Sequence, residues 1–235
     1  MSATLYLIPV ALGDIPWSLF LPMETREIAI RLQHFAVENA KTARAELKRL
    51  EHPTPLREVA IEQLPEKLSP PEIDRLLAPL LAGHNLGVLS EAGCPGVADP
   101  GALLVRRAHE LGIRVKPLVG PSSLLLSLMA SGLDGQQFAF HGYLPAREPD
   151  RSQRIAALEK ESRRLGQTQL FIETPYRNSA LFQALLSTCQ GSTRLCVATD
   201  LTLPEESIVT RTVAQWKKAP APALDKRPTV FLFLA

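Results

Sequence analysis

Three short stretches of this chain gather residues able to bind or react. The longest runs Ser90-Glu91-Ala92-Gly93-Cys94-Pro95-Gly96-Val97-Ala98-Asp99-Pro100-Gly101. Its small residues let backbone N–H and C=O groups come close to a ligand. Its Asp-Pro pair opens a helix whose first N–H groups have no partner within the helix. The second stretch, Gly120-Pro121-Ser122-Ser123, sets two hydroxyls at a helix start, where they bind a ligand or cap the helix. The third, Glu173-Thr174-Pro175-Tyr176-Arg177, carries an acid, an aromatic ring and a base. Taken alone it is equally an N-cap, Thr174, ahead of Pro175 with a solvated Arg177. Each stretch is a rigid turn or a ligand cradle, and residue types alone leave both readings open.

Common catalytic strings are missing. The chain has no G-x-x-x-x-G-K-S/T loop, no H-E-x-x-H and no G-x-S-x-G elbow. Pro9-Val10-Ala11-Leu12-Gly13-Asp14 stands where a dinucleotide fold would carry G-x-G-x-x-G, which argues against a nicotinamide oxidoreductase. The five histidines, His34, His52, His84, His109 and His141, form no pair at ligand spacing, so no metal site is expected.

The elements that must hold these stretches read as an α/β protein. Leu5–Val10, His34–Glu38, Asn85–Ser90 and Ile113–Val119 are strand-like runs, with Leu56–Ile61 a weaker one. Ser69-Pro70-Pro71-Glu72 is a capping box with proline at the first helical position. Leu76, Leu77, Leu80 and Leu81 follow at helical spacing. Asp99-Pro100 opens a second helix, which Gly112 ends. Strands separated by helices of this length imply parallel βαβ units over residues 1–119. From 120 to 235 the pattern changes. A short apolar helix, Leu124–Ala130, precedes strands at Phe138–Tyr143, Thr168–Glu173, Arg194–Thr199, Ser207–Thr210 and Thr229–Leu234. Helices at about Pro149–Leu165 and Pro175–Thr188 separate the first three, and Thr212-Val213-Ala214-Gln215 is another capping box. Only a short turn joins the strands around Val197 and Val209, so that pair is expected to be antiparallel and the second sheet mixed. The expectation is two α/β domains with a ligand cleft between them.

Composition narrows the class. Of 235 residues, 46% are hydrophobic and 21% charged, which excludes wholesale disorder. No run reaches the ~18 apolar residues of a membrane span. The start, Met1-Ser2-Ala3-Thr4, lacks the basic region of a secretory leader. Three cysteines, Cys94, Cys189 and Cys196, fit reduced thiols and a cytoplasmic protein better than a disulfide framework. A net charge of +2 neither demands nor excludes a nucleic-acid partner.

Taken together, the three stretches resemble the tetrapyrrole-methylase superfamily. Leu5–Val10, Ser90–Gly101, Gly120–Ser123, Gly142-Tyr143-Leu144-Pro145, Phe171–Arg177, Ala198-Thr199-Asp200-Leu201-Thr202 and Pro228–Leu234 fall in that family's order over nearly the whole chain. The S-D/E-A-G-x-P-x-x-x-D-P-G string is the most specific part. The chain looks most like the branch that methylates ribosomal RNA on a ribose 2′-hydroxyl. The resemblance implies S-adenosylmethionine (SAM) as methyl donor, a homodimer, and RNA or a ribosomal subunit as substrate; with no metal-ligand spacing and no apolar run long enough to span a membrane, no metal and no membrane are expected. It implies donor binding by Leu12, Gly93, Cys94, Pro95, Ser122, Ser123, Glu173, Ala198, Thr199, Pro228 and Thr229. Lys41, Arg44 and Arg177 would face the acceptor. Glu38 and Glu173, and beside them Asp200, are candidate bases because each ends a predicted strand on the ligand edge. Two departures stand out. The branch's A-E-D-T-R string reads Val37-Glu38-Asn39-Ala40-Lys41 here, and its P-x-P-x-G-N loop reads Pro9-Val10-Ala11-Leu12-Gly13-Asp14. The chain thus reads as a divergent sub-branch. A tetrapyrrole or other small-molecule acceptor, or a SAM-binding dimer without catalysis, stays open. A basic cluster, Arg147, Arg151, Arg154, Lys160, Arg163 and Arg164, is interleaved with acids and reads as a solvated helix face.

Overall fold

Leu5, Tyr6, Leu7 and Ile8 are apolar in succession, the signature of a strand covered on both faces. They lie within the first strand, β1 (Thr4–Ile8). A computed structural model describes residues 3–65 and 67–235; Met1 and Ser2, half of the start read above for a leader, lie outside the described residues, as does Glu66. The chain divides into two compact units, Met1–Ser122 and Ser123–Ala235.

The first unit continues with α1 (Met23–Ala29), β2 (His34–Val37), α2 (Ala40–Arg49), β3 (Ala60–Gln63), α3 (Pro70–Leu81), β4 (Leu86–Leu89), α4 (Gly101–Glu110) and β5 (Arg114–Pro117). Its sheet is parallel throughout, in the order β3-β2-β4-β1-β5. The chain first steps from β1 toward β3, then turns back through β4 to β5. Right-handed crossovers therefore send α1 and α2 to one face and α3 and α4 to the other. The core confirms this: Ile8, Phe35, Val37 and Leu89 pack with Ala29, Ala43 and Leu47, while Leu5, Ala36, Leu86 and Val88 pack with Leu76, Leu80 and Leu104. The reversal falls between β1 and β4, the place where open α/β sheets bind ligands.

The third strand starts later than Leu56, because Pro55–Glu58 is closed as a turn by Glu58 N–H donating to the Pro55 carbonyl. Pairing with β2, from His34↔Ala60 to Val37↔Gln63, decides its span. The α1 and α2 helices were not marked by the start signals used above. The first begins after Pro22 without a capping side chain. The second is capped by Asn39, whose side chain accepts from the N–H groups of Lys41 and Thr42.

The second unit holds α5 (Ser123–Ser131), β6 (Phe138–Tyr143), α6 (Asp150–Leu165), β7 (Thr168–Ile172), α7 (Asn178–Thr188), β8 (Arg194–Thr199), β9 (Ser207–Thr212), α8 (Val213–Trp216) and β10 (Thr229–Leu234). Its sheet runs β6-β7-β10-β8-β9. The β6–β7 pair is parallel and the other pairs are antiparallel, so the sheet is mixed. Phe171, Val197, Phe231 and Phe233 bury one sheet face against Ile155, Leu158, Leu181, Leu185 and Trp216. Helix α5 packs against β8, β9 and β10, and Thr210 Oγ1 donates to the Ser131 carbonyl over 2.7 Å.

Candidate functional site

In the first unit three corners meet beyond the carboxyl ends of β1, β4 and β5. Val10 and Gly93 exchange backbone hydrogen bonds, Val10 N–H to Gly93 O over 2.9 Å and the reverse over 3.3 Å. This bridge ties the β1 corner to the β4 corner. Gly93 sits at φ 70°, a left-handed conformation that glycine adopts without strain. A Cβ added there would lie 3.4 Å from Leu12 Cδ2 and 3.6 Å from the Pro121 carbonyl. Cys94 Sγ donates to that same carbonyl over 3.3 Å. The β5 corner is pressed still harder against β1: a Cβ on Gly120 would fall 2.3 Å from Pro9 Cβ, so only glycine fits. Leu12, Gly93, Cys94, Pro95 and Ser122 thus belong to one cluster of corners, and Ser123 begins α5 in the second unit.

Acids organise the longest corner. Asp99 Oδ1 accepts from Gly96 N–H and from Gly101 N–H, at 3.1 and 2.5 Å, and so caps α4 from within the loop. Its Oδ2 is buried with no partner among the described residues. Burial pushes the Asp99 carboxyl above the ordinary carboxylate range, against the pull of the two N–H groups. Glu38 Oε2 accepts from Glu91 N–H over 2.7 Å, anchoring the corner to the end of β2. Burial raises Glu38 as well. Burial also raises the Cys94 thiol, so at neutral pH it stays protonated. Lys41 and Arg44 lie exposed on α2.

In the second unit, Glu173, Ala198, Thr199, Pro228 and Thr229 gather at one end of three neighbouring strands. Thr229 of β10 pairs with Thr199 of β8, and Val230 pairs with Ala198 on one side and Ile172 on the other. Glu173 is buried, and its Oε2 accepts from Thr174 N–H and from Arg177 Nη2, at 2.5 and 2.8 Å. The acid therefore closes its own turn and holds Arg177. Hydrogen bonding to Glu173 in turn raises the Arg177 guanidinium further.

Asn178 and Arg227 carry no signal in the sequence and yet fix this end of the sheet. Asn178 is fully buried and donates through Nδ2 to the Arg227 carbonyl and to Thr229 Oγ1, at 2.7 and 3.1 Å. Asp200 pairs with Arg227, and Asp200 N–H donates to the Pro228 carbonyl over 3.0 Å. Both contacts fix the Pro228–Thr229 corner through partners 27 to 51 positions apart. Glu46 and Arg49 form an ion pair on α2, for which their i, i+3 spacing was the available signal. Among the described residues no three His, Cys, Asp or Glu side chains are grouped to hold a metal ion.

Fold and corners together define a class. Residues 32–216 match the family described as Tetrapyrrole (Corrin/Porphyrin) Methylases, and the chain belongs to that family. Among curated proteins it is 39% identical over 142 residues to the ribosomal RNA small subunit methyltransferase I of Xylella fastidiosa, covering 60% of this chain and 50% of that protein. It is 29% identical over 216 residues to the protein of the same name from Escherichia coli O157:H7, covering 87% and 67%. The chain spans about half the length of the first of these. Two solved structures share the fold: the methyltransferase CobJ, with TM-score 0.63, 16% identity and coverage of 99% and 93%, and the cobalt precorrin-4 methyltransferase CbiF, with TM-score 0.64, 14% identity and coverage of 98% and 94%.

Proposed function

We propose that this chain is a SAM-dependent methyltransferase acting on RNA, with a ribose 2′-hydroxyl of small-subunit ribosomal RNA as acceptor. The observation that carries the reading is the meeting of the Val10–Leu12, Gly93–Pro95 and Pro121–Ser122 corners in the first unit. They present backbone groups around Gly93, whose left-handed backbone favours glycine. The names of the relatives support the acceptor.

A donor of this kind supplies a methyl carbon already attached to a good leaving group, a sulfonium. The residues of the chain then have to orient and to exclude water. Leu12, Gly93, Cys94, Pro95 and Ser122 would hold the donor in the first unit; Ser123, Glu173, Ala198, Thr199, Pro228 and Thr229 are the candidate donor-binding residues of the second. Rigid corners suit this task, because alignment alone is worth up to ~7–11 kcal/mol of a barrier. Glu38 and Glu173 act as anchors of their turns, since each gives an oxygen to a loop N–H. Lys41, Arg44 and Arg177 face RNA phosphates. The protein works in the cytoplasm as a homodimer and needs no metal.

Purified protein is incubated with methyl-labelled SAM and small ribosomal subunits from cells lacking the gene, and the label is mapped. One labelled ribose is expected. Label in no RNA fraction, from protein that still binds SAM, would reject RNA as the acceptor.

A further inference from the structure

The first unit carries a pocket that shares Leu12 with the proposed donor corners and extends to α2. It lies between the β1 corner, one side of α2 and the β4 corner, and is about 220 Å³ in volume. Leu12, Thr42, Ala45 and Ala92 are among its walls, together with Glu46 and Arg49. Glu46 is only 6% exposed. It accepts from Ala11 N–H over a long 3.4 Å and from Arg49 Nη1 over 2.5 Å. Arg49 Nη2 reaches out to Asp14, whose side chain is fully exposed. The charged groups around the acid are thus Arg49 on its own helix, Asp14 on the β1 corner and Glu91 on the β4 corner. A volume of this size admits one five- or six-membered ring. Beside the pocket, Lys41, Arg44 and Lys48 form an exposed basic face of α2 at i, i+3, i+7.

We propose that this pocket is the acceptor subsite: it takes the ribose of one unpaired nucleotide, Glu46 receives the proton of its hydroxyl, and the basic face of α2 holds the flanking phosphates. The proposal rests on the methyl-transfer reading. In the step, the acceptor O–H bond breaks and its proton passes to the Glu46 carboxylate. The oxygen bonds the methyl carbon, and the carbon–sulfur electron pair returns to sulfur. Burial raises the Glu46 carboxyl, despite Arg49, toward the range in which a base both accepts and returns a proton.

Glu46→Gln keeps the shape of the side chain and removes the proton acceptor. At saturating RNA its rate is expected to fall about 100-fold or more, and the acidic limb of the pH–rate profile is expected to disappear. SAM affinity and the KM for RNA should move less than about threefold. Glu46→Asp should recover part of the rate, and a thermal melt of each variant reports folding. A second readout needs no turnover: the four ribonucleosides are titrated into wild-type protein while NMR signals of Thr42, Ala45 and Ala92 are followed. Shifts at these residues are expected, and Ala45→Trp should abolish them by filling the pocket. Glu46→Gln turning over at the wild-type rate, or no ribonucleoside moving these signals, overturns the subsite. Nucleosides entering the pocket of a protein that labels no RNA would support the subsite and reject the RNA reading.

Discussion

Cys94, Cys189 and Cys196 show how environment alone separates like residues. Burial lifts all three thiols above the ordinary value near 9. Cys189, with Glu159 also near, is pushed up to about 12. At pH 8 a thiol with that value is thiolate to the extent of ~10⁻⁴. Cys94 is half-buried, whereas the other two are in the core. Iodoacetamide at pH 8 should therefore label Cys94 first and slowly, and reach Cys189 and Cys196 only in denaturant. Mass spectrometry of the native protein checks this, and early label on Cys189 would contradict the burial argument. Glu38, Glu173 and Glu46 each give an oxygen to a loop N–H, and Glu46 lines a pocket as well.

Helix starts are where elements report their local chemistry. At the head of α3, Ser69 N–H donates to Glu72 Oε2 over 2.8 Å, and the Ser69 hydroxyl donates to the same oxygen over 2.6 Å. These bonds hold the exposed Glu72 carboxyl below its ordinary 4.5. A carboxyl lowered by folding adds stability above its unfolded value and loses it as pH falls through the lower folded value. Glu72→Ala should thus unfold at lower urea than wild type at pH 7, and the gap should close as pH drops from about 4.5 through that lower value. A gap that stays constant on acidification would mean that Glu72 acts through packing and not through its charge. The β1 and β5 corners hold by a different means: at Gly120 backbone and Pro9 ring are too close for any side chain.

At the scale of the whole molecule, the two units have separate cores, and no described helix is long and apolar enough to cross a membrane. The second unit exposes large apolar side chains on α5 and at the start of β6: Leu125 is 53% exposed, Met129 80% and Phe138 42%. Apolar surface of this kind marks association sites, and it supports the homodimer proposed above. Met129→Glu should shift the protein from dimer to monomer in sedimentation at micromolar concentration while leaving its melting curve nearly unchanged. Wild-type protein sedimenting as a monomer would remove the dimer.

Periodicity, caps and turn residues are local, and what they control was legible in the chain. The parallel first sheet, the mixed second sheet, the start of α3 at Ser69 and the corners at Gly93 and Gly120 all follow from residues a few positions apart. Helix α2 was harder to see: only Ala43, Glu46 and Leu47 are buried on it, so its apolar pattern is weak. Pairing with β2 sets the start of β3, and the apolar run from Leu56 does not. Partners distant in sequence required the tertiary structure. Asn178 serves Arg227 and Thr229, Glu38 serves Glu91, and Asp14 and Glu46 share Arg49. Burial is the reason: a side chain's chemistry depends on which N–H groups and charges surround it once water is gone. Only the folded chain sets those neighbours, and so it alone places Glu46 between Arg49 and the Ala11 N–H at the wall of a pocket.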